Sequence, residues 1–314
     1  MIKAIFTFDY YADNIQKFEA LGYDITFIDE KEANYTDSLK DTEVLICYNP
    51  FSTLDISKFH NLKWIQLASI GVDQVPKDIA IKNNLIITNN KGGYKIPIGE
   101  WIVMDILSLI KKSMSFYKNK EQKLWELNEN IFELYGKTIG FIGTGTIAVE
   151  AAKRLQGFGA NILGINTNGR NVEYFDKCFS MDNIDKVLSE SHVVVLTIPY
   201  TKNTHHLINE DKFSCMKDKT FFINISRGAI VDETALIRNL QSGKIAGAAL
   251  DVFNEEPLQK SSPLWDMDNV IVTPHNSWVS EVSTERRLSL IYDNMKRYVQ
   301  KENLLNVTDI TKGY

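Results

Sequence analysis

The sequence predicts an α/β protein of two domains, each built on a doubly wound parallel sheet. Three observations carry that prediction. Strand-like and helical segments alternate from the first residues onward. They form two series, separated by a long apolar helical stretch. The second series opens on a glycine-rich turn set between a strand and a helix. Alternation of this kind lays strands in parallel, because each connecting helix packs back onto the sheet.

The bulk properties bound the rest. A chain of 314 residues, 44% apolar and 24% charged, suits two ordinary globular cores. A net charge of −5 gives no overall attraction for a phosphate backbone, so no nucleic-acid partner is expected. Cys47, Cys178 and Cys215 are odd in number and widely spaced, which fits free thiols in a reducing compartment. They form no metal-ligand pattern, and no metal is expected. The N-terminus reads as a strand rather than a secretory signal. Asp105 interrupts the longest apolar run, which falls short of the roughly 20 residues a bilayer span needs. A cytoplasmic protein with no membrane partner is the expectation.

In the first series, strands are predicted at residues 2–8, 24–28, 44–48, 64–67 and 85–88, with a helix at 12–21 ended by Gly22. One long helix is predicted from about Pro97 to Asn119. Proline suits its first turn, where an N–H has no intrahelical acceptor. Trp101, Ile102, Val103, Met104, Ile106 and Leu107 give it more apolar surface than one face of a monomer requires. It is therefore expected between domains or against a second copy, and a homodimer through residues 98–135 follows. Residues 121–135 read as a polar arm with spaced aromatics. The second series predicts six strands: 138–142, 161–165, 193–197, 221–225, 247–250 and 270–273. A final helix covers 281–301. The expected division is residues 1–97 with 282–314, and residues 98–281 between.

The glycine turn is Gly143-Thr144-Gly145-Thr146-Ile147-Ala148. It matches G-x-G-x-x-[GA] and sits between an apolar strand and a helix, the context that makes it a dinucleotide fingerprint. Gly143 permits the tight turn, Gly145 lets backbone amides reach a pyrophosphate, and Ala148 allows close helix packing. The next strand should end in an acid that accepts from the ribose hydroxyls of NAD. Here it ends in Asn166-Thr167-Asn168-Gly169-Arg170. Asn166 carries no charge to repel a 2′-phosphate, Thr167 and Asn168 can donate, and Arg170 can supply a cation. NADP is the expected cofactor. NAD remains open if Asn166 bonds the ribose and Arg170 is a solvated loop residue.

Three later motifs carry chemical side chains. Arg227 follows an apolar strand and precedes Gly228, at the edge where such sheets bind ligands. Its planar fork can grip a carboxylate or a carbonyl oxygen. Asp251 ends another strand, and Glu256 stands five residues on, before Pro257. His275 follows Pro274 after a third strand. A histidine with a carboxylate beside it is an acid–base suited to neutral pH.

In combined order these motifs resemble the D-isomer-specific 2-hydroxyacid dehydrogenases. The likeness runs over nearly the whole chain. It takes in the glycine turn, Ile198-Pro199-Tyr200-Thr201 with Thr204, residues 224–235, residues 250–258, and Pro263-Leu264-Trp265 leading to Thr273-Pro274-His275. The resemblance implies a Rossmann coenzyme domain inserted in a flavodoxin-like substrate domain. It implies hydride transfer between a nicotinamide cofactor and a small D-2-hydroxy acid or 2-keto acid, such as glyoxylate or hydroxypyruvate. Arg227, Glu256 and His275 fall on the catalytic positions, and Asp251 on the one that contacts the nicotinamide carboxamide. Ile198, Pro199, Thr204 and Ile225 fall among the cofactor contacts. The loop Leu67-Ala68-Ser69-Ile70-Gly71-Val72-Asp73 falls where backbone amides hold the substrate carboxylate, with Ile70 and Gly71 the expected donors. The cleft between the domains is expected to close on the ligands.

Two departures stand out. Asn166 replaces a frequent aspartate, which bears on the choice of cofactor. Gly99-Glu100-Trp101 replaces a commoner Ala-Glu pair. Alternatives within the family are a short phosphoglycerate dehydrogenase, a D-lactate dehydrogenase and a formate dehydrogenase-like enzyme, although Glu256 stands where that last branch has a glutamine. An alternative of another class is a non-catalytic dinucleotide sensor.

Overall fold

Both predicted sheets form, and every paired strand in them is parallel. The structure is a computed structural model that describes residues 1–8 and 15–313. Two compact units divide the chain: residues 1–94 with 280–314, and residues 95–279.

The first unit carries β1 (Ile2–Phe6), β2 (Tyr23–Phe27), β3 (Val44–Cys47), β4 (Trp64–Leu67) and β5 (Ile86–Thr88), in the order β2-β1-β3-β4-β5. This is the flavodoxin-like doubly wound order. Its helices are α1 (Ile15–Glu19) and α2 (Lys77–Lys82), and the last helix of the chain, Ser283–Gln300, returns to it. Part of the helix predicted at 12–21 lies outside the described residues. Alternate strand residues serve opposite faces. Ile5, Leu45, Ile65 and Ile87 enter one core, while Phe6, Val44, Ile46 and Trp64 pack with Ile291 and Met295 in the other. Both faces are covered, so the strands read as continuous apolar runs.

The second unit begins with α3 (Lys95–Ile110) and α4 (Ser113–Glu121). Its sheet holds β6 (Thr138–Ile142), β7 (Asn161–Asn166), β8 (Lys177–Ser180), β9 (Val193–Leu196), β10 (Thr220–Asn224), β11 (Ile245–Leu250) and β12 (Val270–Val272). The order is β12-β11-β10-β9-β6-β7-β8, the Rossmann order with one further strand. The remaining helices of this unit are α5 (Thr146–Leu155), α6 (Ile184–Glu190), α7 (Glu210–Cys215) and α8 (Glu233–Gln241), and the helix Ser283–Gln300 of the first unit is α9.

Two expectations need correction. The sheet has seven strands rather than six. The added β8 is a four-residue edge strand in which only Cys178 is buried, so it carries no apolar run to announce it. The long helix is two helices. Lys112 adopts a left-handed φ of 51°, which turns the chain between α3 and α4. Proline at 97 does lie in the first turn of α3. Within its own unit α3 packs on α5, β10 and β11 and buries Ile102, Ile106 and Leu109, while Trp101, Val103 and Leu107 are partly exposed and Met104 is exposed. By contrast α4 buries no residue. Beyond it Trp125 and Leu127 are almost wholly exposed.

Candidate active site

The chain switches direction across the second sheet between β6 and β9, and the loops leaving those strands diverge there. Gly143 ends β6 with a φ of 109°, and a Cβ on it would stand 2.7 Å from the Thr197 carbonyl oxygen. Only glycine fits. Gly145 caps α5, and a Cβ there would meet nothing within 4 Å, so its backbone faces open space. The Gly143 N–H donates to the Ile165 carbonyl at 2.9 Å, and after Gly145 the next amide with a carbonyl partner is that of Val149, bonded to Gly145 at 3.0 Å. Among the described residues the amides of Gly145, Thr146 and Ile147 have no acceptor. Unspent amides at a helix N-terminus fit a pyrophosphate in charge and in geometry.

The loop after β7 is organised by Asn166. Its side-chain amide donates to Thr144 Oγ1 at 3.2 Å and to the Arg170 carbonyl at 2.8 Å. Its oxygen accepts from the Arg170 N–H at 3.1 Å. Asn166 is buried and consumed in the turn, while Thr167, Asn168 and Arg170 are exposed. An aspartate could not donate those two bonds. The loop after β9 is likewise self-supporting. Thr204 Oγ1 donates to the Pro199 carbonyl at 2.9 Å and accepts from the Thr201 N–H at 2.7 Å. Ile198 packs beside Gly143, and Ile225 is buried after β10.

The chemical side chains come from three adjacent strand ends. Arg227 follows β10, Asp251 and Glu256 follow β11, and His275 follows β12. Gly228 makes the approach of the first two loops possible, since a Cβ there would stand 1.9 Å from the Phe253 carbonyl carbon. His275 Nδ1 and Glu256 Oε2 are 2.9 Å apart, with both side chains partly exposed. The other Glu256 oxygen accepts from the Phe253 N–H at 3.0 Å. Burial pushes the Glu256 carboxyl up. The bonds from His275 and Phe253, with the charges of His275 and Arg227, outweigh it and hold the group below the usual range. With Nδ1 committed to a carboxylate, Nε2 is the ring atom left to exchange a proton.

His275 takes a left-handed φ of 51°, uncommon for a side chain of its size. Asp251 explains how it is held. That buried carboxylate accepts from Thr273 Oγ1 at 2.6 Å and from the N–H groups of Asn276 and Ser277 at 2.8 and 3.0 Å. The Asp251 carbonyl accepts from His275 N–H at 2.9 Å. Trp278 Nε1 closes the turn on the His275 carbonyl at 2.9 Å. The sequence offered no sign of this bracing role.

Ile70 and Gly71 belong to the first unit, on the loop after β4. Every carbonyl from Ala68 to Gly71 is engaged. Tyr94 Oη donates to Ala68 at 2.5 Å, and Asn90 N–H to Ser69 at 2.8 Å. Asn89 Nδ2 donates to Ile70 at 2.8 Å, and Ser69 Oγ to Gly71 at 3.0 Å. Among the described residues the amides of Ser69, Ile70, Gly71 and Val72 have no acceptor. Gly71 does not take a left-handed φ, so the turn itself does not demand glycine there.

Comparison with known proteins agrees with this chemistry. The family model for the D-isomer specific 2-hydroxyacid dehydrogenase, NAD binding domain, matches residues 103–277. The chain belongs to that family. The dehydrogenase is 34% identical to a glyoxylate reductase of Thermofilum pendens over 82% of its own length and 78% of the relative's. It is 30% identical to a D-3-phosphoglycerate dehydrogenase of Methanocaldococcus jannaschii over 99% of its length, but spans only 60% of that protein. Its fold matches a D-isomer specific 2-hydroxyacid dehydrogenase of Xanthobacter autotrophicus Py2, solved with NADPH and MES, at a TM-score of 0.81. That pair is 25% identical, with 99% of each chain covered. The dehydrogenase is thus an NAD(P)-dependent oxidoreductase acting on the CH–OH group of 2-hydroxy acids. Among the described residues no helix is long and apolar enough to cross a membrane.

Proposed function

We propose that the dehydrogenase reduces a small 2-keto acid, glyoxylate or hydroxypyruvate in the first instance, with NADPH preferred over NADH. The observation that carries this reading is the His275–Glu256 pair, 2.9 Å apart, with Glu256 following the strand next to the one that Arg227 follows. The unit built on residues 95–279 is read as the coenzyme domain, and the other as the substrate domain. A bound reduced nicotinamide supplies the hydride. Protonated His275 gives its Nε2 proton to the carbonyl oxygen as negative charge grows there. Glu256, ionised at neutral pH, keeps the ring oriented through Nδ1. Arg227 orients the keto acid and polarises its carbonyl. The amides of Ile70 and Gly71 take the carboxylate. In oxidation neutral His275 accepts the proton.

The cofactor preference rests on the uncharged end of β7 and the exposed Thr167, Asn168 and Arg170. Asp251, braced by three donors, is read as holding the His275 turn beside the nicotinamide position. The exposed side chains of Phe116, Tyr117, Trp125 and Leu127, on α4 and the arm beyond, support pairing with a second copy. Light scattering on the purified protein tests that pairing. The functional test is a panel of 2-keto acids with each cofactor. The expected result is highest kcat/KM for two- and three-carbon keto acids with NADPH. Equal use of NADH, or a marked preference for phosphorylated substrates, would overturn the finer reading.

A further inference from the structure

The loop after β4 ends its hydrogen-bond network on a buried cation. Arg287, on α9, is 1% exposed, and its Nη1 donates to Tyr94 Oη at 3.2 Å. The same nitrogen bonds the Tyr48 hydroxyl. The guanidinium lies over the Tyr48 ring, 5.1 Å from its centroid, and over that of Phe8 at 5.8 Å. Tyr94 is itself buried, and its hydroxyl proton is spent on the Ala68 carbonyl. A second route reaches the loop from Tyr48. Gln74 Nε2 donates to the Tyr48 carbonyl at 3.0 Å and to Ser69 Oγ at 2.9 Å, and that hydroxyl donates to Gly71.

Two consequences follow from elementary electrostatics. A hydroxyl that accepts from a guanidinium becomes a stronger donor, and its bond to Ala68 is strengthened in turn. A carbonyl that accepts a strong bond polarises its own peptide, so the attached N–H donates more strongly. The Ala68 carbonyl shares its peptide with the Ser69 amide, Ser69 with Ile70, Ile70 with Gly71, and Gly71 with Val72. All four carbonyls are engaged and all four amides are unspent, which is the arrangement of a pre-organised anion cradle. Water screens a buried positive charge poorly, so Arg287 also adds attraction for an anion held there.

We propose that Arg287, acting through the hydroxyl of Tyr94, is a positioning residue that sets the affinity of the 69–72 amides for the substrate carboxylate. The inference rests on reading that loop as the carboxylate site, and the test separates the two. Tyr94→Phe removes only the hydroxyl and keeps the ring. It should raise KM for glyoxylate about fivefold to tenfold, the worth of one buried bond, with a smaller change in kcat and unchanged NADPH affinity. KM for methylglyoxal, which has no carboxylate, should not move. Arg287→Met should produce the same pattern more strongly, and Arg287→Lys should fall between. Combining Tyr94→Phe with Arg287→Met should add little to the latter alone. Ile70→Pro, which deletes one cradle amide, is the reference. If it raises KM for glyoxylate and Tyr94→Phe does not, the relay is wrong and the loop reading stands. If Ile70→Pro folds and leaves the preference for a carboxylate intact, the loop reading itself falls. Parallel losses in kcat and NADPH affinity in Tyr94→Phe would mark a merely structural role and overturn the proposal.

Discussion

Two regions of this dehydrogenase are built to meet negative charge, and they use different materials. The loop after β4 offers backbone amides, with no ionisable side chain among residues 68–72. The corner after β11 and β12 offers an imidazole and a carboxylate, 2.9 Å apart and partly exposed. A carboxylate that only has to be held keeps the same charge throughout a reaction. Fixed amide dipoles serve it, and they do not titrate. Charge that appears and vanishes on a carbonyl oxygen needs a proton that can move, which only a side chain supplies. The first region can be rigid at no electrostatic cost. The second must keep titratable groups close together, and Asp251 and the left-handed turn at His275 are part of that arrangement.

The largest test of this contrast is His275→Ala. It removes the mobile proton and leaves the amide sites alone. The expected result is a fall in kcat of about 10²- to 10⁴-fold, with NADPH affinity, followed by cofactor fluorescence, unchanged. Near-wild-type turnover would sink the assignment. Glu256→Gln should come next, because it keeps a polar group beside the ring and deletes the charge. A loss of roughly tenfold or more in kcat is expected. It should also change the acid limb of stability. Glu256 is held below the usual carboxylate range in the fold, so the unfolded chain takes up the proton first as pH falls. The wild type therefore loses stability through the range below its ordinary value of 4.5, and Glu256→Gln should lose less there. Parallel denaturation curves for the two proteins at pH 5 and pH 3.5 would contradict this.

A smaller effect is expected at the exposed turn after β7. Arg170→Ala should weaken NADPH binding by about fivefold to tenfold, as one exposed charge-assisted contact to a phosphate is lost. NADH binding should be unaffected. Titration of both cofactors decides it, and an equal loss for both would remove the argument for NADP.

Part of this is legible in the sequence alone. The glycine turn is contiguous, so strand, turn and helix announce each other locally. Arg227, Glu256 and His275 stand out because each follows an apolar strand, and the structure brings two of them, Glu256 and His275, into contact. What stayed hidden depends on partners distant in sequence. Asn166 was read for the charge it lacks, yet its side chain serves Thr144 and Arg170. Asp251 braces a turn more than twenty residues away. Arg287 sits in the run Glu285-Arg286-Arg287, which looks like the solvated face of a helix. Only the packing of α9 shows that it is buried against Tyr48 and Tyr94. The strand β8 and the break at Lys112 escaped for a simpler reason: neither carries an apolar pattern.

The subtlest test concerns the cost of the titratable corner. Asp105, on α3, is 2% exposed, and among the described residues its Oδ1 has no hydrogen-bond partner. Burial, with the charge of Asp251 added, pushes its carboxyl up to about 8. The native protein thus holds this proton at neutral pH, whereas the unfolded chain releases it near the ordinary value of 3.8. Between those limits the native state binds more protons than the unfolded one. Stability must then fall as pH rises, and level off once both states have released the proton. Asp105→Asn has no proton to lose and should escape that fall. Its melting temperature relative to wild type should climb from pH 5 to pH 8 and then stay constant. The offset at pH 5 reflects only how well the amide is accommodated, so the slope is the informative quantity. A difference independent of pH would mean that Asp105 is already ionised in the fold, and that burial and the charge of Asp251 do not hold its proton.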